Sequence, residues 1–182
     1  MKILAFGATN SKRSINKMLA FYAAQQIENA EIKLIDLNDY EMPIYSEERE
    51  EEHGIHALAH HFFNNISEAD LIIVSFAEYN GTYTAAYKNI FDWASRIDMK
   101  LFQNKPVLML ATSPGPGGAQ SVLAAAIASA PYIAADVIGA ISLENFYEHF
   151  DIDKGIVTHS AFNQALTQAF NTLGESAVRT SQ

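Results

Sequence analysis

Three short polar or glycine-rich segments hold most of the residues that could do chemistry in this chain. They are 7–16 (GATNSKRSIN), 77–83 (AEYNGTY) and 113–120 (SPGPGGAQ), and each follows an apolar, strand-like run. Loops at the carboxyl ends of neighbouring parallel strands are where an open α/β sheet binds its ligand. We therefore expect these segments, called here the first, second and third loops, to meet at one ligand site.

The first loop has the composition of an anion site. Its hydroxyls and backbone N–H groups lie where the following helix begins, and a helix N-terminus carries positive partial charge. Lys12, Arg13 and Lys17 add three of the chain's twelve cationic side chains. The alternative interpretation is that Ser14 is only an N-cap in a solvated turn. Neither a Walker loop nor GxGxxG occurs, which argues against nucleotide hydrolysis and against a dinucleotide bound in the Rossmann manner.

The second and third loops have features that suit a flat ligand. In the second, Glu78 to Gly81 combine an aromatic ring, an amide and a glycine that lets the backbone approach a planar group closely. The third is nearly without side chains over 114–118, so it can lie against a ring and leave room for a second planar molecule. A plain tight turn before a helix is the alternative for any single glycine.

Strand-like and helix-like patterns alternate along the chain. The strand-like runs are 3–6, 32–37, 71–76, 107–111 and 137–143. Helical periodicity occurs over 15–27, 55–63, 86–97 and 162–178, and 122–141 is typical of a helix, a turn and then a strand. Alternation of this kind predicts an α/β fold with right-handed crossovers. We expect a flavodoxin-like three-layer sandwich whose five-stranded parallel sheet has the order 2-1-3-4-5, with strands one, three and four adjacent.

Composition narrows the possible partners. The 182 residues are enough for one domain, which we expect to span 1–182. A net charge of −9 argues against nucleic acid or a membrane surface as partner. Pro131 and Asp136 interrupt the longest weakly polar stretch, so we do not interpret that stretch as a membrane span. The absence of cysteine excludes disulfides and thiolate chemistry. It fits a reducing compartment, so we expect a cytoplasmic location.

The histidines offer a rival site. His56 and His60 lie four residues apart in a helical pattern and could share a metal ion. Neither HExxH nor a cysteine accompanies them, so we favour a solvated helix face and predict no metal site. The acidic run 47–52 is interpreted as the exposed beginning of the same helix.

The three loops with their flanks resemble the signature regions of the NAD(P)H-dependent FMN reductase family. The segments are GATNSKRSINKMLA, AEYNGTYTAAYKNIFDWASR and ATSPGPGGAQ. Family members often read G-S-x-R-x-x-S-x-N, then P-E-Y-N-G-S with K-N-x-x-D-W-x-S-R, then S-P-G-x-x-G-G. The resemblance extends from Met1 to about Leu143, and its middle block is the most specific part. It implies a flavodoxin-like protein that binds FMN non-covalently and takes a hydride from NADH or NADPH. The electrons pass to a small-molecule acceptor such as flavin, a quinone, an azo dye or a metal oxyanion.

By position, the resemblance implies three groups of FMN contacts. The phosphate would be held by Thr9, Ser11, Ser14, Ile15 and Asn16. The isoalloxazine ring would be lined by Glu78, Tyr79, Asn80 and Gly81, and its other edge by Ser113, Gly115, Gly117 and Gly118. The cofactor performs the hydride chemistry, so we name no catalytic acid or base.

Departures from the family pattern leave some points open. Asn10 or Ser11 stands where the family often has arginine, Ala77 replaces the proline, and the first loop is one residue longer. The missing arginine leaves the choice between NADH and NADPH open. A flavodoxin-type electron carrier is the alternative function, and a degenerate fold without cofactor is a third. Carriers cover the ring with bulky aromatics, whereas the glycines of the third loop favour an enzyme.

Aromatic residues after the second loop bear on assembly. We predict that Tyr83, Tyr87, Phe91 and Trp93 cannot all lie on one buried helix face, so some should contact a partner subunit. The resemblance places them on a helix that packs two subunits together. It implies a homodimer or homotetramer.

Overall fold

The computed structural model describes residues 1–179, with side chains up to Leu173. Five strands form one parallel sheet in the order β2-β1-β3-β4-β5. They are β1 (Lys2–Ala8), β2 (Glu31–Leu34), β3 (Leu71–Phe76), β4 (Pro106–Thr112) and β5 (Asp136–Leu143). The predicted sheet order and flavodoxin-like sandwich are confirmed. A single domain over 1–182 stays a prediction, and residues 180–182 lie outside the described part.

Helices cover both faces of the sheet. They are α1 (Ile15–Gln25), α2 (Glu47–His53), α3 (Ala57–Glu68), α4 (Ala85–Ala94), α5 (Gln120–Ser129), α6 (Phe146–His149) and α7 (Ser160–Arg179). One hydrophobic cluster joins α1 and α7 to the sheet, and the other joins α3, α4 and α5. Along β3, Leu71 and Ile73 enter the first cluster while Ile72, Val74 and Phe76 enter the second. Burial on both faces is the reason this strand is apolar apart from Ser75.

Shorter elements complete the chain. The structure gives α5, a 3₁₀ helix at Ala130–Ile133 and β5 over the stretch predicted as helix, turn and strand, so that prediction is confirmed. A small antiparallel hairpin, β6 (Phe150–Asp151) and β7 (Ile156–Val157), follows α6. Within the described residues, no helix is both long and apolar enough to cross a membrane.

The second strand ends earlier than predicted. Its predicted extent was 32–37, but the strand stops at Leu34 and a 3₁₀ helix follows at Leu37–Tyr40. Asp36 causes this change of conformation because its carboxylate accepts a hydrogen bond from the N–H of Asn38 at 2.9 Å and caps the new helix.

The acidic run forms a helix of its own, so its assignment to the beginning of the next helix was wrong. Ser46 caps α2 at one end, and Gly54, at φ +73°, ends it at the other. His56 is then the N-cap of α3, with its Nδ1 accepting from the N–H of Leu58 at 3.2 Å. Among the residues described, no cluster of three or more His, Asp or Glu side chains could hold a metal ion.

The four aromatic residues after the second loop pack within one subunit. Tyr87 and Trp93 are buried, and Tyr83 and Phe91 are partly buried against the same hydrophobic cluster. Tyr87 contacts both of the partly buried rings, with centroids 5.3 Å and 6.2 Å away. Two of the four rings, Tyr83 and Phe91, are thus only partly buried, and their contact with a partner subunit stays a prediction.

Candidate functional site

The three loops leave the sheet side by side. Ala8 at the end of β1 pairs with Phe76 at the end of β3, and Phe76 pairs with Ala111 near the end of β4. The loops therefore begin at one edge of three adjacent strands. This is the edge at which open α/β sheets bind ligands.

The first loop is held close to α1. A Cβ atom on Gly7 would lie 2.6 Å from the backbone nitrogen of Lys17, so only glycine lets strand and helix approach this closely. Thr9 is buried, and its Oγ1 accepts from the N–H of Ser11 at 3.2 Å. Ser14 is the N-cap of α1, with its Oγ accepting from the N–H of Lys17 at 3.0 Å. The cap leaves the hydroxyl proton of Ser14 to donate to a ligand at the beginning of the helix.

Asn16 lies beneath this loop in a buried network. Its side chain is 3% exposed, and its Oδ1 accepts from the hydroxyl of Ser75 at 2.7 Å and the N–H of Thr112 at 3.1 Å. Its Nδ2 donates to the carbonyl of Thr112 at 3.2 Å. Asn16 therefore ties α1 to the ends of β3 and β4. The described contacts of its amide are internal, and they support a positioning role for this residue.

One of the three cations at the first loop is already paired. Lys17 Nζ lies 2.6 Å from Asp36 Oδ2, with both side chains about one-third exposed. Partial burial opposes ionisation of Asp36, but hydrogen bonds from Lys17 and Asn38 outweigh it and lower its pKa. Lys12 and Arg13 are exposed and remain as the local source of positive charge.

Open space flanks the first loop on two sides. A cleft of about 230 Å³ lies between Asn10, the segment 37–44 and residues 85–90 of α4. A wider cleft of about 550 Å³ runs along α1 beside Lys12 and Arg13. The ends of the strands beneath the loop, at Ala8, Phe76 and Thr112, are buried.

The second loop is a tight hairpin turn. Tyr79 and Thr82 exchange backbone hydrogen bonds of 3.0 Å and 3.3 Å, while Asn80 and Gly81 have φ of +54° and +80°. These are the features of a type I′ turn, which Asn-Gly favours. The turn leaves the Tyr79 ring 49% exposed at the sheet edge. The Asn-Gly pair therefore has a structural reason in addition to any contact with a ligand.

Three side chains after this turn, of which Thr84 and Trp93 are buried, connect α4 to other parts of the chain. Thr84 caps α4 and donates to the carbonyl of Ala8 at 2.9 Å, which joins the second loop to the first. Asn89 Nδ2 donates to the carbonyl of Met42 at 3.0 Å, and Trp93 Nε1 donates to that of Pro43 at 2.7 Å. The segment after the second loop, which is the most specific part of the resemblance, therefore fixes one wall of the 230 Å³ cleft.

The third loop is shaped mainly by its backbone. Gly118 has φ of +56°, and a Cβ atom there would meet Ser142 Oγ at 2.2 Å. The carbonyl of Gly115 accepts from the N–H of Asn145 at 3.0 Å, and that of Ser113 accepts from Phe146 at 3.1 Å. At Gly115 and Gly117, in contrast, a Cβ atom would meet nothing within 4 Å. The loop is anchored to the segment after β5, and it has open space where side chains at Gly115 and Gly117 would lie.

Glu78 connects the second loop to the helix after the third. Its Oε2 accepts from the N–H of Val122, in the first turn of α5, at 2.9 Å. Sequence reasoning placed Glu78 at the site but could not predict this contact, because the partner is a backbone group 44 residues away. It also missed Ser75, Thr84 and Thr112. A hydroxyl inside the apolar run 71–76 was the available signal for Ser75.

The sequence also matches known proteins. Residues 1–148 match the sequence model of the family described as NADPH-dependent FMN reductase. NADH-dependent flavin reductase subunit 2 of Lactobacillus johnsonii is 30% identical over 123 residues, which cover 65% of this chain and 64% of that protein. A quinone reductase of Escherichia coli is 32% identical over 81 residues, which cover 44% of this chain and 43% of that protein. Both matches span less than two-thirds of the relative.

Solved structures share the fold. FerB of Paracoccus denitrificans, described as a flavoenzyme NAD(P)H:(acceptor) oxidoreductase, superposes with a TM-score of 0.70. The superposition covers 93% of this chain and 92% of FerB at 23% sequence identity. At this level of identity the likeness supports the flavodoxin-like fold alone.

Proposed function

The chain belongs to the NADPH-dependent FMN reductase family, and from this premise we propose that it is an FMN-dependent oxidoreductase. It takes a hydride from NADH or NADPH and reduces a small-molecule acceptor. The acceptor classes are flavins, quinones, azo compounds and metal oxyanions. The observation that carries the proposal is the convergence of a helix N-terminus and an open glycine loop at the ends of adjacent strands.

The phosphate end of FMN fits the first loop. The N-terminus of α1 supplies backbone N–H groups and positive partial charge, and Ser14 supplies a hydroxyl at the same point. We propose that the phosphate contacts come from Thr9, Ser11, Ser14 and Ile15, with Lys12 and Arg13 adding charge at the rim. The role proposed for Asn16 is to hold this loop on β3 and β4 through its network.

We place the ring end between the second and third loops as part of the same proposal. We propose that Tyr79, Asn80 and Gly81 line one side of the isoalloxazine, and that Ser113, Gly115, Gly117 and Gly118 border the other. When bound, FMN supplies the hydride and electron transfer, so the chain has only to orient its ring and leave one face accessible. The open space at Gly115 and Gly117 supports that access. It favours an enzyme over an electron carrier, whose ring is covered.

Titration with three flavins tests this site. We expect the purified protein to bind FMN more tightly than riboflavin, because only FMN carries the phosphate that the first loop recognises. FAD should also bind more weakly, since its adenylate must leave the phosphate pocket. Isothermal calorimetry measures all three affinities. Equal affinity for FMN and riboflavin would contradict the role proposed for the first loop.

Assembly and location are parts of the same proposal. We propose a homodimer or homotetramer on the basis of the family resemblance, and a cytoplasmic location on the absence of cysteine. Light scattering at micromolar concentration tests assembly. A mass of 20.1 kDa, that of one chain, would contradict it.

A further inference from the structure

The carboxylate of Glu78 contacts α5 in a way that its sequence position does not reveal. We propose that Glu78 is a positioning residue: it caps α5 and so fixes the width of the slot between the second and third loops. This inference rests on the proposed function, which places the flavin ring in that slot. It gives Glu78 a different task from the ring contact implied by the family resemblance.

Helix α5 lacks a cap from its own sequence. Its N-cap is Ala119, in the left-handed region at φ +58°, and no side chain at that position accepts a hydrogen bond. The first turn of any helix has N–H groups without partners inside the helix. Glu78 Oε2 accepts from one of them, that of Val122, at 2.9 Å. A carboxylate at this end of a helix is also favoured by the helix dipole.

The contact adds a link between the second loop and the helix that follows the third loop. On the β5 side, Ser142 Oγ donates to the carbonyl of Gly118 at 2.7 Å, and the N–H of Asn145 donates to the carbonyl of Gly115. A Cβ atom on Gly115 or Gly117 would meet nothing within 4 Å. Glu78 lies two residues after the end of β3, and its bond to Val122 connects the second loop to the beginning of α5. Its removal should let the beginning of α5 and the third loop move relative to the second loop.

Two substitutions separate positioning from direct contact with the ring. Glu78→Ala removes the acceptor, whereas Glu78→Gln keeps an acceptor oxygen for the N–H of Val122 and removes the charge. Glu68→Ala is the matched control, because Glu68 is exposed at the far end of α3 and pairs only loosely with Lys33, at 3.5 Å. For each variant we would measure amide exchange at Val122 in the FMN-free protein and the affinity for FMN by fluorescence titration.

The proposal predicts a graded result. Glu78→Ala should speed exchange at Val122 and weaken FMN by about tenfold, the scale of a lost helix cap. It should also shift the visible absorption of the bound flavin, because the walls of the slot change. Glu78→Gln should recover most of the protection, the affinity and the spectrum, and Glu68→Ala should match the unmodified protein in all three.

Other outcomes overturn the proposal. If both Glu78 variants lose FMN equally while Val122 stays protected, the carboxylate acts on the ring itself. If neither variant changes exchange or affinity, the contact has no role in the slot. If the unmodified protein does not bind FMN, the proposed function fails and the inference about the slot fails with it. The exchange data would then still decide separately whether Glu78 caps α5.

Discussion

The first and third loops are both glycine-containing connections from a strand to a helix, but they are held in different ways. The first is built by side chains: Ser14 caps α1, and Asn16 ties that helix to two strands from below. The third is built by its backbone, with left-handed residues at Gly118 and Ala119. The helix that follows it, α5, is capped by Glu78 from the second loop. A loop with fixed side chains suits recognition of a compact anion, whereas a loop without them suits a flat ring that must stay accessible.

The largest difference should appear between two glycine-to-alanine variants. Gly7→Ala places a methyl group 2.6 Å from the backbone of Lys17, and a backbone atom cannot move aside cheaply. We expect a loss of about 3 kcal/mol in the free energy of unfolding, at the upper end of the range for overpacking. Gly117→Ala faces open space and should change stability by less than about 0.5 kcal/mol. Urea denaturation measures the free energy of unfolding of both variants. Equal losses in the two would show that the two loops do not differ in this way.

Asn16→Ala should lower the free energy of unfolding by nearly as much as Gly7→Ala. It leaves the Ser75 hydroxyl and both backbone groups of Thr112 without their buried partner. Loss of such bonds costs about 2 kcal/mol in the free energy of unfolding. Asn171→Ala, at an exposed position on α7, is the control and should be close to neutral. If Asn16→Ala unfolds at the same urea concentration as the control, the network does not hold the first loop.

Ser14→Ala should affect ligand binding more selectively. The variant loses a hydroxyl at the helix N-terminus, so FMN affinity should fall by about 1–3 kcal/mol, the scale of a hydrogen bond to a charged group. Riboflavin affinity should stay the same because riboflavin has no phosphate. Ser67→Ala, on the exposed surface of α3, controls for loss of a serine hydroxyl elsewhere. An equal loss of riboflavin affinity would show that Ser14 supports the ring end instead.

The smallest effect concerns the ion pair beside the first loop. The pKa of Asp36 is lowered in the folded protein, so its pairing with Lys17 contributes stability above the ordinary aspartate pKa of about 3.9. That contribution is lost as the pH falls through the lower folded pKa. Because both side chains are partly exposed, we expect less than about 1 kcal/mol. We therefore compare the change in the urea midpoint between pH 7 and pH 3 in two proteins. This change should be slightly smaller for Asp36→Asn than for the unmodified protein, and an identical change would contradict the role of this pair.

Local pattern predicted the sheet better than it predicted the site. The apolar run 71–76 is preceded by Asp70 and followed by the motif that begins at Ala77, and β3 has the same bounds in the structure. The end of β2 was missed because Asp36 caps a 3₁₀ helix there, which hydrophobic periodicity does not register. The family resemblance implied site roles for Asn16 and Glu78, and those roles stay predictions. Their partners, Thr112 and Val122, are distant in sequence, and only the folded chain brings them together.

Anaerobic reduction of the bound flavin tests the central claim most directly. We propose that the first loop retains FMN while the third loop leaves one face of its ring open to a nicotinamide. Rapid mixing of the FMN-loaded protein with NADH or NADPH, without oxygen, should bleach the flavin absorbance within seconds, as a turnover of order 1–1,000 per second requires. If dithionite bleaches the bound flavin but neither nicotinamide does, the open face is not used by a nicotinamide. The protein would then be an electron carrier and not a reductase.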